Sequence, residues 1–89
     1  MIPLFTKDPN AVLDYSIDWA AWLVTDTIST STWVIPTGLT SASNSSTTTV
    51  TTVWISGGTA GQTYTVTNRI VTAGGRTEDR SLRIKVEER

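Results

Sequence analysis

Residues 62–87 of the 89-residue chain, QTYTVTNRIVTAGGRTEDRSLRIKVE, decide the fold. Each half of this stretch places apolar side chains at alternate positions, namely Tyr64, Val66 and Ile70, then Leu82, Ile84 and Val86. Such alternation indicates a strand with one buried face. Gly74 and Gly75 lie between the two halves, and glycine readily supplies the positive φ angles of a hairpin turn. The stretch therefore predicts two antiparallel strands joined by a tight turn.

Upstream of this hairpin, three segments are rich in β-branched residues or alternate apolar with polar ones: residues 13–19, 27–35 and 47–55. Residues 38–42 are a further candidate for a short strand. Residues 47–55 contain no strong helix former and are the clearest strand. Composition predicts a loop at residues 43–46. It also predicts a turn at residues 56–61, which include Gly57, Gly58 and Gly61. About six or seven short strands with turn signals every 8–12 residues predict an all-β sandwich of antiparallel strands.

A single helical turn is predicted between the first two of these strands. Asp18 precedes apolar residues at Trp19, Trp22 and Leu23, which are spaced i, i+3 and i+4. An aspartate before that spacing is typical of a helix N-terminus, and the segment is too short for more than one turn.

Residues 1–12 are predicted to form an extended arm on a single domain of residues 13–89. Pro3 and Pro9 disfavour helix and favour extended backbone before them. Because the arm has few apolar groups, we expect it to dock onto a neighbouring protein, with Leu4 and Phe5 as contacts. Its one apolar patch is too short for a secretion signal or a membrane span, so we expect the protein to stay in the cytoplasm where it is made unless it leaves by lysis or inside a larger particle.

The composition argues against several kinds of chemistry. The chain has 18 Thr and 9 Ser but no Cys and no His, so it offers no disulfide, no thiolate or imidazole ligand for zinc and no histidine base. A net charge of −1 gives no basic field for nucleic acid. Asp14 and Asp18 lie about 13 Å apart along one strand, which is too far for paired acid–base catalysis. We therefore expect no enzymatic activity, no metal, no cofactor and no binding to nucleic acid or membrane.

The pattern around Tyr64 narrows the sandwich to an immunoglobulin-like type. In such domains a tyrosine near the start of the penultimate strand bonds back to the corner backbone, and a Cys follows two residues later. Val66 stands in the place of that Cys. Trp33 fits the central buried tryptophan of the second sheet, and Trp19 fits a core position. The alternative is that Tyr64 is an ordinary amphipathic strand residue.

Several short motifs occur in an order that resembles a known protein family. They are KDP at 7–9, VLDY at 12–15, DW at 18–19, DTI at 26–28, TW at 32–33, PTGL at 36–39, SGGTAG at 56–61, TN at 67–68 and GRT at 75–77. The family comprises short proteins encoded among the structural genes of tailed bacteriophages and prophages, described as fibre–tail adaptors or phage structural proteins. The resemblance runs from about Phe5 to Val86. It implies a small virion component, of the tail, assembled in the host bacterial cytoplasm, and it brings no catalytic residue.

Surplus aromatic residues and a group of arginines are the candidate contacts for other proteins. Four Trp are more than a core of this size needs, so Trp22 and Trp54 are interface candidates. An outward Trp54 fits a subunit interface, and partial burial under a loop is the alternative. The candidate arginines of the C-terminal hairpin are Arg69, Arg76 and Arg80. Glu78 and Asp79 lie among them, so cross-strand ion pairs on a solvated edge are the alternative to a subunit contact.

These features together predict a structural interaction module of a phage virion. The function expected from the resemblance is a non-enzymatic, tail-associated adaptor that links tail and fibre components through protein–protein contacts. Its expected partners are other virion proteins of the tail, fibre or capsid, and a homo-oligomer within the particle is compatible with the sequence. The alternatives are a carbohydrate-binding module, in which exposed Trp side chains stack on sugar rings, and a module that decorates the capsid.

Overall fold

The computed structural model describes residues 4–88, which form seven strands and one helical turn. The elements in chain order are β1 (Leu4–Lys7), β2 (Leu13–Asp18), α1 (Ala20–Leu23), β3 (Ile28–Val34), β4 (Leu39–Ser46), β5 (Val50–Gly57), β6 (Thr63–Thr72) and β7 (Thr77–Val86). The strands form a four-stranded sheet I, ordered β1-β7-β6-β3, and a three-stranded sheet II, ordered β2-β5-β4. The predicted all-β sandwich is confirmed.

The pairing of the strands is antiparallel in both sheets except between β1 and β7, which run parallel. In immunoglobulin sandwiches, strands B, E and D share one sheet, and strands C, F and G share the other. The sets β2-β5-β4 and β3-β6-β7 have this arrangement, so we keep the immunoglobulin-like type as our interpretation of the strand order. The parallel β1–β7 pair differs from the prediction, which expected all strands of the sandwich to be antiparallel.

The core lies between the two sheets and consists of two clusters. The larger contains Tyr15, Leu39, Val53, Ile55, Val66, Leu82, Ile84 and Val86, and the smaller, beside α1, contains Trp19, Leu23, Ile28 and Ile70. The apolar residues of the C-terminal hairpin that were predicted to face inward all belong to these clusters except Tyr64, which packs half-buried against the larger one. The hairpin that alternation predicted is therefore the centre of sheet I.

A buried polar network joins the two sheets at the smaller cluster. The Trp19 indole N–H donates to Thr51 Oγ1 of sheet II at 3.2 Å and to Asn68 Oδ1 of sheet I at 3.1 Å, and the Thr51 hydroxyl donates to the same Asn68 oxygen at 2.7 Å. The Asn68 amide donates in turn to Ser31 Oγ and to the Thr32 carbonyl, both at 3.0 Å. Because an unpaired polar group is costly in a core, this network fixes how the sheets face each other.

Two strand boundaries differ from the prediction. β4 continues through residues 43–46, predicted to be a loop, and the hairpin turn lies at residues 47–49, predicted to be strand. The Thr47 hydroxyl accepts hydrogen bonds from the N–H groups of Thr49 and Val50, at 3.3 and 3.0 Å, and these bonds close the turn. Ser and Thr suit both turns and strands, so composition could not place the boundary.

The N-terminal segment is extended, but Leu4–Lys7 is a strand of sheet I and not an arm that waits for a neighbour. The Lys7 side chain is fully buried, and its Nζ donates to the carbonyls of Gly57 at 2.7 Å and Asp8 at 2.8 Å. Burial lowers the pKa of Lys7, and the charge of Asp8 acts in the opposite direction. Residues 4–7 are thus part of the sandwich, and the docking of the N-terminal segment onto a neighbouring protein stays a prediction. Residues 1–3 lie outside the described residues.

Tyr64 makes the type of contact that the tyrosine-corner prediction requires. Its hydroxyl accepts a hydrogen bond from the backbone N–H of Thr59, at 3.0 Å. The ring also lies against Gly38, where a Cβ would sit 2.9 Å from the ring atom Cε1. Trp33 is half-buried against the larger cluster, and its indole N–H has no hydrogen-bond partner among residues 4–88, whereas Trp19 is fully buried. The fully buried tryptophan is therefore Trp19 and not Trp33, and its indole belongs to the polar network.

Candidate functional site

The outer face of sheet II presents one aromatic side chain among small polar ones. Trp54 lies on the central strand β5 between two fully buried neighbours and is 41% exposed. Its register partners are Asp14 on β2 and Ser43 on β4, and directly paired residues of an antiparallel sheet share a face. The other outward residues of this face are Ser16, Asp18, Thr40, Ser45, Val50, Thr52 and Ser56. The face thus carries two carboxylates, no basic side chain and a tryptophan at its centre.

The outer face of sheet I is rich in threonine and carries cations. Arg69 of β6 and Asp79 of β7 form a cross-strand ion pair with two hydrogen bonds, at 2.8 and 3.0 Å. This pair has the solvated geometry that the sequence allowed as an alternative to a subunit contact. The Arg69 side chain lowers the pKa of Asp79, mainly through its hydrogen bonds to the carboxylate. At an exposed pair the net stabilisation is small.

Arg83 is the other prominent cation of this face. It points outward between two fully or almost fully buried residues of β7, and its register partners are Leu4 of β1 and Thr65 of β6. No ion pair among the described residues includes Arg83. Leu4 is 56% exposed beside it. Phe5, predicted with Leu4 as a contact, points inward and packs its ring 5.3 Å from that of Tyr15. The structure thus places an unpaired guanidinium next to an exposed apolar side chain.

The predicted contacts Trp22, Arg76 and Arg80 meet at the end of the sandwich beside α1. The Arg76 guanidinium lies 4.2 Å from the centre of the Trp22 ring, and that of Arg80 lies 4.5 Å from the centre of the Trp19 ring. The two indoles meet edge to face, with ring centres 5.6 Å apart. Cations over aromatic faces are attracted to the ring electrons. These arginines are therefore engaged within the chain, where they tie β7 to α1.

Asp26 secures the same end. Its carboxylate accepts hydrogen bonds from the N–H groups of Thr27 at 2.8 Å and Gly74 at 3.0 Å, and it pairs with Arg76 Nε at 3.2 Å. Hydrogen bonds, first from the Thr72 side chain and then from the Thr27 N–H, lower the pKa of Asp26 to about 2. Gly74 is required by this approach, because a Cβ there would lie 2.9 Å from Asp26 Oδ2. The carboxylate has a structural role in the hairpin turn.

Val24 is an exposed apolar side chain on strained backbone. It follows α1, is 81% exposed and has a φ of 61° and a ψ of −94°. The Asp26 N–H donates to the Leu23 carbonyl at 3.0 Å and closes a four-residue turn around it. A positive φ at the second residue is typical of type II′ turns, where glycine is usual. A β-branched residue there costs on the order of 1–3 kcal/mol.

The predicted site residues thus fall into separate regions. Trp54 belongs to the outer face of sheet II, Leu4 and Arg69 to that of sheet I, and Trp22, Arg76 and Arg80 to the α1 end. Of the predicted turn glycines, Gly57 is the last residue of β5 and the others lie in the loops before β6 and β7; those with positive φ are Gly57, Gly58, Gly61 and Gly75.

Three features of these surfaces did not emerge from sequence reasoning. The juxtaposition of Asp14 with Trp54 depends on strand register, and the unpaired state of Arg83 depends on which carboxylates reach it. The strain at Val24 has no marker in the residue type. One signal was available in the sequence, because no charged residue occurs between Asp26 and Arg69. It indicates that β3, β4 and β5 are uncharged and that the charges collect on the remaining elements.

A search of residues 4–88 for groups of His, Cys, Asp or Glu able to hold a metal ion finds none. Within the same residues, no helix has the length and apolar character to cross a membrane.

Comparison with known families identifies a relationship over most of the chain. A family model described as podophage GP4 fiber-tail adaptor protein gp77 matches residues 7–85. The match begins at the last residue of β1 and ends one residue before the end of β7. No curated protein matches the chain. The family match confirms the resemblance that the sequence motifs indicated.

Proposed function

Because the chain belongs to the podophage fibre–tail adaptor family, we propose that it is a non-enzymatic structural protein of the phage virion that links tail and fibre components through protein–protein contacts. The single observation that carries this proposal is the match to the family over residues 7–85. An adaptor must hold two partners at a fixed distance and angle, which requires a rigid body with at least two contact surfaces.

The architecture supports such a role. The polar network of Trp19, Thr51 and Asn68 and the hydrogen bonds of Lys7 and Asp26 fix the strands within and between the sheets. The outer faces of the two sheets point in opposite directions and differ in charge. A partner of the tail and a partner of the fibre therefore find distinct surfaces on one small molecule.

A complementation experiment tests the adaptor role. We expect phage particles assembled without this chain to carry tails that lack fibres, and purified protein added to those particles to restore the fibres seen by electron microscopy. Trp54→Ser is expected to restore fewer fibres than the wild type, and Ser45→Ala on the same face serves as the matched control. Particles that carry a full set of fibres without the chain would contradict the proposal.

A specific observation also favours a second candidate, carbohydrate binding. The exposed ring of Trp54 is flanked by the side chains of Asp14 and Ser43, and an aromatic face beside hydrogen-bonding groups is a common surface for sugar rings. Titration of the protein with cell-wall and capsule oligosaccharides, followed by tryptophan fluorescence, separates the two candidates. A saturable change that Trp54→Ser removes would support sugar binding, and a flat response across the panel would eliminate it.

A further inference from the structure

The two outer faces of the sandwich carry opposite charge. Outward carboxylates of sheet II, Asp14 and Asp18, have no basic side chain on their face. The outer face of sheet I carries Arg69, Arg83 and Lys85 against the single carboxylate of Asp79. Lys85 also pairs with Glu87, just beyond β7, at 3.1 Å, and the Arg69–Asp79 pair is internally neutral. The unbalanced charges are therefore Arg83 on one side of the molecule and the two aspartates on the other.

The side chains beside these charges are also complementary. On sheet II, Trp54 and Asp14 are direct cross-strand partners, so an aromatic ring and an unpaired carboxylate lie next to each other. A guanidinium group is bound well by this combination, because it stacks on the ring and donates hydrogen bonds to the carboxylate. On sheet I, Arg83 supplies such a group, and the adjacent Leu4 supplies an apolar contact for the indole.

The faces are large enough for a weak contact that depends on concentration. Sheet II has three strands, which span about 14 Å at roughly 4.8 Å per strand, and its central strand of eight residues is about 26 Å long at roughly 3.3 Å per residue, so its outer face covers about 350–400 Å². A standard protein–protein interface buries about 800 Å² on each partner, so this contact belongs to the weak, transient class. The surrounding residues are mostly Ser and Thr, whose side chains are short. Rows of such hydroxyls on both faces can form hydrogen bonds across the contact.

We propose that copies of this chain stack face to face, the outer face of sheet I of one copy lying on the outer face of sheet II of the next, with Arg83 over Trp54 and paired with Asp14. The contact joins two different faces, so a pair of copies keeps one free face of each kind, the sheet II face of one copy and the sheet I face of the other. Such a contact produces a ring when the rotation between copies closes and a filament when it does not. This inference goes beyond the adaptor role and does not depend on it.

Reciprocal charge reversal tests the proposed contact. Sedimentation velocity of the wild type between about 10 µM and 1 mM is expected to show a mass that rises with concentration and falls when salt is raised from about 0.05 to 0.5 M. Arg83→Asp and Asp14→Arg place like charges opposite each other, so each is expected to weaken self-association at least about ten-fold. An equimolar mixture of the two variants is expected to associate again, because each supplies the charge that the other lacks. The double variant Asp14→Arg/Arg83→Asp, whose net charge is that of the wild type, is expected to self-associate as well.

Controls separate this contact from a general effect of charge or folding. Glu88→Arg changes the net charge as much as Asp14→Arg but lies beyond β7, and it is expected to leave association unchanged. Asp14→Asn and Arg83→Gln give milder versions of each change, and thermal unfolding of every variant confirms the fold. A wild type that stays monomeric at 1 mM and low salt would overturn the proposal, even if the chain binds a sugar or another virion protein. Association that withstands both reversals, or a mixture that fails to associate, would overturn it too.

Discussion

Single side chains in this domain form hydrogen bonds with backbone groups that strand pairing leaves without a partner. Tyr64 bonds to the backbone of the loop before its strand, and Asp26 accepts hydrogen bonds from the neighbouring Thr27 and from the turn between β6 and β7. Lys7 holds the end of β1 to a carbonyl of β5. Each of these groups is polar and each acts at a loop or a strand end, where main-chain donors and acceptors lack partners within a sheet.

Replacing Tyr64 by Phe tests the corner contact. The ring packing is kept and the hydroxyl that accepts from the Thr59 N–H is lost, so we expect the free energy of unfolding to fall by about 1 kcal/mol. Urea denaturation of the variant and the wild type measures this difference. A difference of zero would show that the hydrogen bond contributes nothing and that Tyr64 is an ordinary strand residue.

The low pKa of Asp26 predicts a dependence of stability on acid. The pKa of the Asp26 carboxyl group is about 2 in the folded state and 3.8 without the folded contacts, so folding favours the ionised form. The resulting stability is present above pH 3.8 and is lost as the pH falls toward 2. Thermal unfolding across this range is expected to show a smaller pH dependence for Asp26→Asn than for the wild type. Asp79→Asn is the comparison for an exposed carboxylate, and equal slopes for wild type and Asp26→Asn would contradict the assignment.

At the scale of elements, most of the motifs behind the family resemblance make contacts that join strands, turns and α1. Asn68 of the TN motif is the centre of the buried network, and Asp26 and Arg76 of the DTI and GRT motifs join α1 to the last hairpin. Gly38 of the PTGL motif receives the ring of Tyr64. The motifs thus mark connections between elements. Of the residues that carry the proposed contact, Trp54 and Arg83 lie outside the motifs and Asp14 lies within VLDY.

The turn before β6 contains two glycines that offer a matched comparison. Gly58 and Gly61 both have positive φ, at 101° and 89°, so alanine at either position is expected to cost about 1 kcal/mol. A Cβ on Gly58 would also lie 2.6 Å from Val86, whereas Gly61 faces open space. Overpacking adds about 1–3 kcal/mol, so Gly58→Ala is expected to destabilise the protein more than Gly61→Ala in urea denaturation. Equal effects would mean that Val86 moves aside freely.

Removal of residues 1–7 tests whether β1 belongs to the fold. The truncation breaks the β1–β7 pairing and removes the buried Lys7 with its two hydrogen bonds, so we expect a loss of about 2–4 kcal/mol in the free energy of unfolding. Thermal and urea unfolding measure it, with Thr6→Ala, an exposed change within β1, as the control. An unchanged melting temperature would support the free N-terminal arm that the sequence predicted.

At the scale of the whole molecule, stability and surface lie in different residues. Two apolar clusters and one polar network stabilise the interior, and the side chains of the outer faces take no part in them. Natural proteins usually protect open sheet edges with charge, a bulge or proline. Here the edge strands β3 and β4 have no charged residue and each contains a bulge, so backbone irregularity takes the place of charge.

Two tryptophan substitutions test this division. Trp54→Ser removes a side chain from the outer face of sheet II and is expected to change the free energy of unfolding by less than about 1 kcal/mol. Trp19→Phe removes the indole N–H from the buried network and leaves a void, and it is expected to cost about 2–4 kcal/mol. Urea denaturation followed by far-UV circular dichroism compares them. A large loss in the free energy of unfolding for Trp54→Ser would show that this face contributes to the stability of the fold.

The sequence by itself determined the class of fold, the C-terminal hairpin, the helical turn and the absence of histidine and cysteine chemistry. These follow from local physics, because side chains alternate along a strand and glycine permits turn angles. Tertiary structure decided that β1 pairs with β7, that Trp19 and Asn68 share a buried network, and that the turn after β4 begins at Thr47. It also decided which charges remain unpaired, and so placed Arg83 on one face and Asp14 beside Trp54 on the other. Strand order and register bring together residues that are distant in sequence, and no local pattern of Ser and Thr specifies them.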